Sequence, residues 1–330
     1  MSDSVSVPAA VASDPPPAAP VVPRPAPLWL VLTAFAAVYV VWGSTYLGIT
    51  IAVKSIPPFL MAGTRFIIAG SLLYGVMRWR GEARPTRQQW LGATAVGALL
   101  LLVGNGGVTW AQGRVASGVS ALIIASVPLW IMLVDWVRPM GKRPTVVVLL
   151  GLAVGAAGVA LIIASRNATG QRTTDPLGAF VLVASALGWA LGSVYARHAA
   201  KPASAWLAVS MQMLAGGALQ LLTGLLLLNE GPQLHLASVT VESALAFVYL
   251  TMVGSLIGYT AYFWLLQVST PARVSTYAYV NPLVAVLLGH LVLKETLPPA
   301  VMLAAGLILI SVILVLTPAR RRGKLPAEVA

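Results

Sequence analysis

Cysteine is absent from this 330-residue chain, and charged residues make up only 9% of it. The missing cysteine excludes disulfides, thiolate metal sites and cysteine nucleophiles. The low charge excludes an ordinary soluble domain, because such domains are about 25% charged and could not hide the 58% of hydrophobic residues found here. The chain also lacks a glycine-rich phosphate loop ending in Lys-Ser or Lys-Thr, so ATP does not power it directly.

Apolar stretches separated by proline, glycine, arginine or lysine follow one another along the chain. Each reaches the roughly 20 residues needed to cross a hydrocarbon layer about 30 Å thick. We therefore predict an all-α integral membrane protein of ten transmembrane helices. The predicted helices cover residues 28–53, 57–77, 89–111, 116–137, 145–165, 176–198, 204–228, 241–268, 273–293 and 298–317. Residues 1–27, rich in proline and alanine, are expected to form a disordered cytoplasmic tail, and residues 318–330 a basic cytoplasmic tail.

The formal net charge of +12 would indicate nucleic acid binding in a soluble protein. Here the basic residues cluster in short segments between apolar stretches, where they orient a membrane protein. With both termini in the cytoplasm, fifteen Lys and Arg residues fall in cytoplasmic segments and five in outer ones. The bias predicts a multi-pass protein of the bacterial plasma membrane with both termini inside, in contact with lipid and without a nucleic acid partner.

The two halves of the chain resemble each other. Three pairs of residues repeat at a spacing of 154: Gly104 with Gly258, Trp110 with Trp264, and Pro128 with Pro282. Five helices per half is an odd number, so a first repeat at 28–165 and a second at 176–317 would enter the membrane from opposite faces. Inverted repeats of this kind are characteristic of secondary transporters with a central site. The alternative is that glycine-rich apolar helices look alike through composition alone.

Two prolines and one arginine lie well inside predicted spans. Pro128 and Pro282 each remove a helical hydrogen bond at equivalent depths, which predicts a hinge or a binding site, the alternative being a tolerated kink. Arg65 lies about 12 Å from the outer end of its helix at 1.5 Å per residue. A charge at that depth indicates function, through a cavity, a carboxylate or an anionic substrate group. The alternative is that Arg65 reaches back to the outer interface.

Polar and aromatic side chains also share single helical faces, which hydrocarbon alone would not favour. Several such faces converging on a cavity would suit an amphiphilic organic solute, although each alone is more often a helix contact. The candidate substrate-binding residues on these faces are Trp42, Tyr46, Asn105, Trp189, Ser193, Tyr259, Tyr262, Tyr277 and Asn281, to which Arg65 is added.

Several segments together resemble the EamA branch of the drug/metabolite transporter superfamily. They are Trp42-Gly43-Ser44-Thr45-Tyr46, Met61-Ala62-Gly63-Thr64-Arg65-Phe66, Val103-Gly104-Asn105-Gly106-Gly107, Gly192-Ser193-Val194-Tyr195, residues 277–289 and Glu295-Thr296-Leu297. The resemblance implies two inverted five-helix EamA repeats around a central cavity, and export of metabolites such as amino acids or amphiphilic drugs. It adds Ser44 to the candidate cavity or gate residues.

We therefore expect a secondary exporter of small solutes that works by alternating access, without catalytic residues, cofactor or metal. Protons remain a candidate coupling partner, and a uniporter is equally compatible with the sequence. The sequence is compatible with both a monomer and a homodimer. The alternatives are a membrane-embedded lipid or prenyl transferase, which would need clustered Asp, Glu or His at one membrane face, and a passive channel, which would conduct without saturation.

Overall fold

The computed structural model describes residues 27–137, 145–164, 174–268, 277–295 and 298–316, and these residues are largely helical. We label the helical stretches in chain order: α1 (Leu28–Ala52), α2 (Pro58–Trp79), α3 (Arg87–Ala111), α4 (Ser117–Trp136), α5 (Val146–Ala164), α6 (Pro176–Tyr195), α7 (Ala205–Leu227), α8 (241–268), α9 (Tyr277–Leu293) and α10 (Pro299–Leu316). The described ranges contain no β-strand, so the predicted all-α class is confirmed. Apart from Pro27, the two predicted tails lie outside the described residues.

Seven helices are long and apolar enough to cross a membrane, namely α1 to α4 and α6 to α8. Shorter apolar stretches occur within α5, α9 and α10. Large apolar side chains also face outward; Leu226 and Leu227, for example, are 75% and 78% exposed. Such a surface suits contact with lipid rather than water. A multi-helix membrane protein is therefore supported, while the count of ten spans stays a prediction.

Polar residues start several helices by binding amide groups that have no partner within the helix. The hydroxyl of Thr86 accepts from Gln89 N at 3.3 Å, and Gln89 Oε1 accepts from Thr86 N at 2.9 Å, a reciprocal cap before α3. The carboxylate of Asp175 accepts from Gly178 N at 3.0 Å at the start of α6. Pro58 and Pro176 occupy first-turn positions, where the missing N–H has no cost.

The main contacts between helices match when α1–α5 are exchanged with α6–α10. Helix α2 packs against α7, and α5 packs against α10. Helix α1 packs against α8 and α9, and in the same way α6 packs against α3 and α4. Each half of the chain therefore buries helices of the other half.

Glycine allows α2 and α7 to approach closely. A Cβ added at Gly63 would lie 2.9 Å from the carbonyl oxygen of Gly217, and one added at Gly217 would lie 2.9 Å from the carbonyl oxygen of Gly63. Both separations are shorter than an ordinary contact between non-bonded atoms of about 3.5–4.0 Å. Small residues at both positions are therefore what brings the two backbones together.

We predict that Gly63→Ala destabilises the fold by about 1–3 kcal/mol, because the added methyl group must push α7 away. Gly75→Ala on the same helix is the matched control, since a Cβ there would meet nothing within 4 Å. The control should be neutral or stabilising, because alanine is the better helix former. Reversible unfolding in detergent, followed by circular dichroism, measures both variants, and equal stabilities would contradict the predicted contact.

Candidate functional site

A cavity of about 130 Å³ lies between α1, α2, α3, α4, α6, α8 and α9. Its wall is mostly apolar, with a few hydrogen-bonding side chains. Ten of the thirteen residues predicted for binding or hinge motion line it. They are Trp42, Tyr46, Arg65, Asn105, Pro128, Trp189, Tyr259, Tyr277, Asn281 and Pro282. Helices distant in sequence therefore bring most of the predicted residues together.

Three tyrosine rings form a cluster around Trp42. The ring centroid of Trp42 lies 5.4 Å from that of Tyr259, 4.9 Å from that of Tyr262 and 5.2 Å from that of Tyr277. The Tyr277 ring meets Trp42 edge-on at 89° and Tyr262 at 84°. Edge-to-face pairs of this kind are favourable because the positive ring edge meets the negative ring face. The cluster gives one wall of the cavity a fixed aromatic surface.

Each half of the chain places a tryptophan against a glycine of the other half. A Cβ added at Gly258 of α8 would lie 2.6 Å from Trp42 Nε1, and one added at Gly104 of α3 would lie 3.1 Å from Trp189 Cε3. Larger residues at these glycines would displace the indole rings. The glycine pair predicted from the spacing of 154 therefore has a shared structural role, which is to admit a tryptophan to the cavity wall.

Helices α3 and α8 widen into π-helical turns beside the cavity. The turns cover Ala98–Gly106 in α3 and Leu250–Ile257 in α8. A π-helical turn shifts the side chains that follow it around the helix and is frequent at functional sites. Asn105 lies within the first turn and points its amide at Arg65. The helical periodicity used for the sequence prediction contains no signal for this widening.

Arg65 brings a positive charge into the cavity wall. Its side chain is 3% exposed, so it does not reach back to the outer interface. One guanidinium nitrogen, Nη2, donates to Asn105 Oδ1 at 3.0 Å, and the guanidinium carbon lies 4.4 Å from the centroid of the Phe66 ring. Thr109 also donates to the Asn105 oxygen, at 3.4 Å. The other two nitrogens, Nε and Nη1, are buried without a hydrogen-bond partner.

The two prolines act differently on their helices. Helix α4 is interrupted between Ile124 and Val127, and the hydroxyl of Ser126 donates to the carbonyl of Ile123 at 2.6 Å in the gap. Pro128 then occupies the first turn of the second segment, where proline is favoured. Helix α9 instead runs unbroken through Pro282. The structure thus has a break beside Pro128 and a continuous helix at Pro282, where the sequence alone predicted two breaks.

Asn281 fastens α9 to α1 beside Pro282. In the amide orientation that satisfies its surroundings, Asn281 Nδ2 donates to the carbonyls of Tyr39 and Tyr277, both at 3.2 Å. The residue is 7% exposed and lines the cavity. The side chain therefore binds one carbonyl on each of two helices that border the cavity.

Three predicted residues lie outside the cavity lining. Ser44 Oγ shares a 2.5 Å hydrogen bond with Tyr249 Oη and joins α1 to α8. Ser193 donates to the carbonyl of Trp189 at 2.7 Å within α6. Tyr262 belongs to the aromatic cluster and contacts the cavity through Trp42. Thr45 and Ser185, which were not singled out as binding residues, line the cavity instead.

Glu230 is a structural carboxylate that sequence reasoning missed. It is 3% exposed, and its two oxygens accept from Phe59 N at 3.2 Å and Leu60 N at 2.9 Å, at the start of α2. A charged acceptor there satisfies two free amides and favours the positive end of the helix dipole. Asn229, with a φ of 49°, turns the chain after α7 and aims the carboxylate at α2.

Glu295 repeats this arrangement after α9. Its oxygens accept from Ser117 N at 2.8 Å and Gly118 N at 3.3 Å, at the start of α4. Lys294, with a φ of 57°, again precedes it. In both places the sequence shows one polar residue and then a glutamate directly after an apolar stretch, and the left-handed conformation of that polar residue is seen in the structure alone. Among the described residues, no group of three or more His, Asp or Glu side chains is placed to hold a metal ion.

Comparison with protein families gives a match to the EamA-like transporter family over residues 28–164 and again over 176–317. The inner membrane transporter YedA of Escherichia coli is 38% identical over 283 residues, which cover 86% of this chain and 89% of YedA. The protein PecM of Dickeya dadantii is 29% identical over 287 residues, covering 83% and 88% of the two chains. These relatives are matched over most of their length.

The fold is also found among solved structures. One of them is a crystal structure with a TM-score of 0.58 and 21% sequence identity, and the match covers 88% of this chain and 96% of the other. At that identity the likeness concerns the arrangement of helices alone.

We predict that Glu230→Gln lowers the free energy of unfolding by about 1.5–3 kcal/mol, because a neutral amide replaces a charged acceptor of two backbone N–H groups. Glu82→Gln, in the loop after α2, is the matched control, since no helix start in the described part of the chain uses its carboxylate. Chemical unfolding in detergent compares the two variants with the parent. A Glu230→Gln protein as stable as the parent would show that the cap contributes little.

Proposed function

The chain belongs to the EamA-like transporter family, and we propose that it is a secondary transporter that exports small metabolites by alternating access. The resemblance predicted from the sequence motifs is thereby confirmed at the level of the family. The observation that carries the proposal is the cavity, which is walled by helices of both halves and holds a buried, partly unpaired Arg65 beside an aromatic cluster. Amino acids and amphiphilic drug-like solutes are the proposed cargo.

We propose that ten spans form two inverted five-helix repeats, at 28–165 and 176–317. Three observations support this. The family matches the chain twice in succession, the helix contacts correspond when the halves are exchanged, and each half places a tryptophan on a glycine of the other. A pseudo-two-fold arrangement is what alternating access around a central site requires.

Alternating access would use the interrupted helix α4 and its counterpart α9. The break beside Pro128 leaves two rigid segments that can change their angle, while Asn281 and Pro282 lie where α9 faces the cavity. Hinges of this kind are a few residues that absorb the change between two packed states. We assign Pro128 and Pro282 to the hinge.

Within the cavity, the polar groups of the solute would meet Arg65, Asn105 and Asn281. Its apolar body would lie against an aromatic wall. The residues proposed for that wall are Trp42, Tyr46, Trp189, Tyr259 and Tyr277, supported from behind by Ser44, Ser193 and Tyr262. Aromatic walls with a few placed hydrogen-bonding groups are typical of sites for organic solutes.

We place the protein in the bacterial plasma membrane with both termini in the cytoplasm, on the strength of its inner-membrane relative and the distribution of basic residues. The absence of native cysteine makes a direct test possible. A membrane-impermeant maleimide should label Ala237→Cys, between α7 and α8, in intact cells. The matched variant Ala83→Cys, between α2 and α3, should be labelled only after the membrane is permeabilised. Both alanines are exposed, so the reversed pattern would contradict the orientation.

We predict that Arg65→Ala and Asn281→Ala abolish export while the protein still accumulates in the membrane. Arg65→Ala removes one hydrogen bond, to Asn105, and the contact with the Phe66 ring, but it also removes a buried charge with two unpaired nitrogens, so the variant should remain folded. Mass spectrometry of the medium identifies metabolites that rise when the parent chain is expressed, and the variants should lower that rise at least tenfold. Arg114→Ala, an exposed arginine stacked on Trp110, is the matched control and should export normally. Unchanged export by Arg65→Ala would refute the assignment.

A further inference from the structure

The cavity carries a net positive charge. Arg65 is the one charged side chain among the residues that line it. The six acidic residues of the described part of the chain lie at or near helix ends, where Asp175, Glu230 and Glu295 bind backbone amides and Asp135 forms an ion pair 3.7 Å from Arg197. Glu82 and Glu242 lie in the loop after α2 and at the start of α8. The remaining acids, Asp3, Asp14 and Glu328, belong to the two terminal segments of the sequence.

Such a charge calls for a partner of opposite sign. Asn105 and the tyrosines beside Arg65 are neutral, so they satisfy hydrogen bonds without cancelling the charge. Two of the three guanidinium nitrogens have no acceptor at all. A buried charge without partners is strongly unfavourable, and a planar guanidinium binds a carboxylate through two parallel hydrogen bonds. A solute with an anionic head would supply an acceptor and a negative charge at this guanidinium.

The size of the cavity limits the rest of the solute. A cavity of about 130 Å³ is close to the roughly 150 Å³ that accommodates one benzene ring in another protein. The solute is therefore small, with an apolar body of about one ring. Most of its surface would face the rings of Trp42, Trp189 and Tyr277, which favour an apolar or aromatic body.

We infer that the cargo is a small organic monoanion, with one carboxylate-like head on an apolar body, and that its own charge crosses the membrane with it. This inference rests on the proposed transport function and narrows its cargo to anionic amphiphilic solutes, which leaves out the zwitterionic amino acids. A cavity with a single fixed positive charge neutralises a net charge of −1, whereas a zwitterion would add an ammonium group to the same small space as Arg65. The head moves from the guanidinium to water on the far side, and no bond is made or broken.

The direction of flux follows from that charge. A bacterial membrane is negative inside, and the potential acts on one elementary charge with a factor of about fiftyfold in concentration for each 100 mV. An anion carried without a compensating proton is therefore driven outward. Export needs no ATP and no ion gradient beyond the potential itself.

The test uses the full-length chain in liposomes, where potassium and valinomycin set the potential. Three radiolabelled probes share a phenyl ring and differ in charge: phenylacetate, L-phenylalanine and phenethylamine. Phenylacetate, which has ten non-hydrogen atoms, should accumulate on the positive side above the level in empty liposomes, approaching fiftyfold at 100 mV, and should reverse with the potential. The other two probes should stay at the level of empty liposomes.

The substitution Asn105→Asp distinguishes an effect on the charge of the cavity from an effect on folding. It places a carboxylate on the group that Arg65 already contacts at 3.0 Å, so the cavity is neutralised while an ion pair supports folding. Phenylacetate transport should fall at least tenfold with thermal stability unchanged or raised, and Arg65→Gln should lose it as well. Arg114→Gln, on the exposed stacked arginine, should transport normally.

Several outcomes would overturn the inference. They are transport of phenylalanine or phenethylamine in preference to phenylacetate, phenylacetate transport that ignores the potential, no transport of any probe, and undiminished phenylacetate transport by Asn105→Asp. If cells expressing the parent chain still export other metabolites in the medium assay, the transport function stands and the monoanion class falls. If neither the liposome assay nor the medium assay shows transport, both the proposed function and the proposed cargo are refuted.

Discussion

A guanidinium kept away from water between apolar helices is the constraint on which the site depends. The side chain of Arg65 is 3% exposed and has one hydrogen-bonded nitrogen of three. Hydrocarbon on the outside of the helices offers no compensation, so the compensation must come from the interior. The guanidinium is surrounded by Asn105, the Phe66 ring and the cavity. The cavity is thus a consequence of where the charge lies, as much as of helix packing.

Close contact between the two halves gives that cavity its shape. Helix α1 packs on α8 and α9, and α6 packs on α3 and α4. Gly104 within the widened turn of α3 admits Trp189, and Gly258 directly after the widened turn of α8 admits Trp42. Glu230 and Glu295 then hold the starts of α2 and α4 with carboxylates from after α7 and α9. Under the predicted orientation both carboxylates lie on the outer side, so they fasten the starts of α2 and α4 on that side.

Much of the fold could be predicted from sequence, because a stretch of about twenty apolar residues predicts a transmembrane helix. The predicted first helix at 28–53, for example, is found at Leu28–Ala52. The importance of Arg65 could also be predicted from the sequence, since a charged residue inside an apolar stretch is conspicuous. The helical spacing of Trp42 with Tyr46, and of Tyr277 with Asn281, predicted two shared faces, and all four residues line the cavity. Ser44 was added through family resemblance, and it lies two positions from Trp42, which turns it to a different side of α1.

The remaining features depend on tertiary contacts that leave little trace in sequence. A π-helical turn keeps the same residues as an α-helix and changes only the hydrogen-bond register, so the turns in α3 and α8 could not be predicted. Glu230 looks like any interfacial acid until the start of α2 is placed beside it. Helix α9 continues through Pro282, where Asn281 anchors it to α1, whereas α4 is interrupted before Pro128 and has the hydroxyl of Ser126 in its gap.

The contact of α1 with α8 and α9 has a consequence for biosynthesis. Ribosomes add roughly 5–20 residues per second, so the first helix waits on the order of ten seconds or longer in the bilayer before its principal neighbours emerge. During that interval its inward face, including the indole of Trp42, must be shielded by lipid or by the insertion machinery. A nascent chain arrested before α8 would present that face to cellular quality control. The first helix therefore reaches its final packing only after the last third of the chain has been translated.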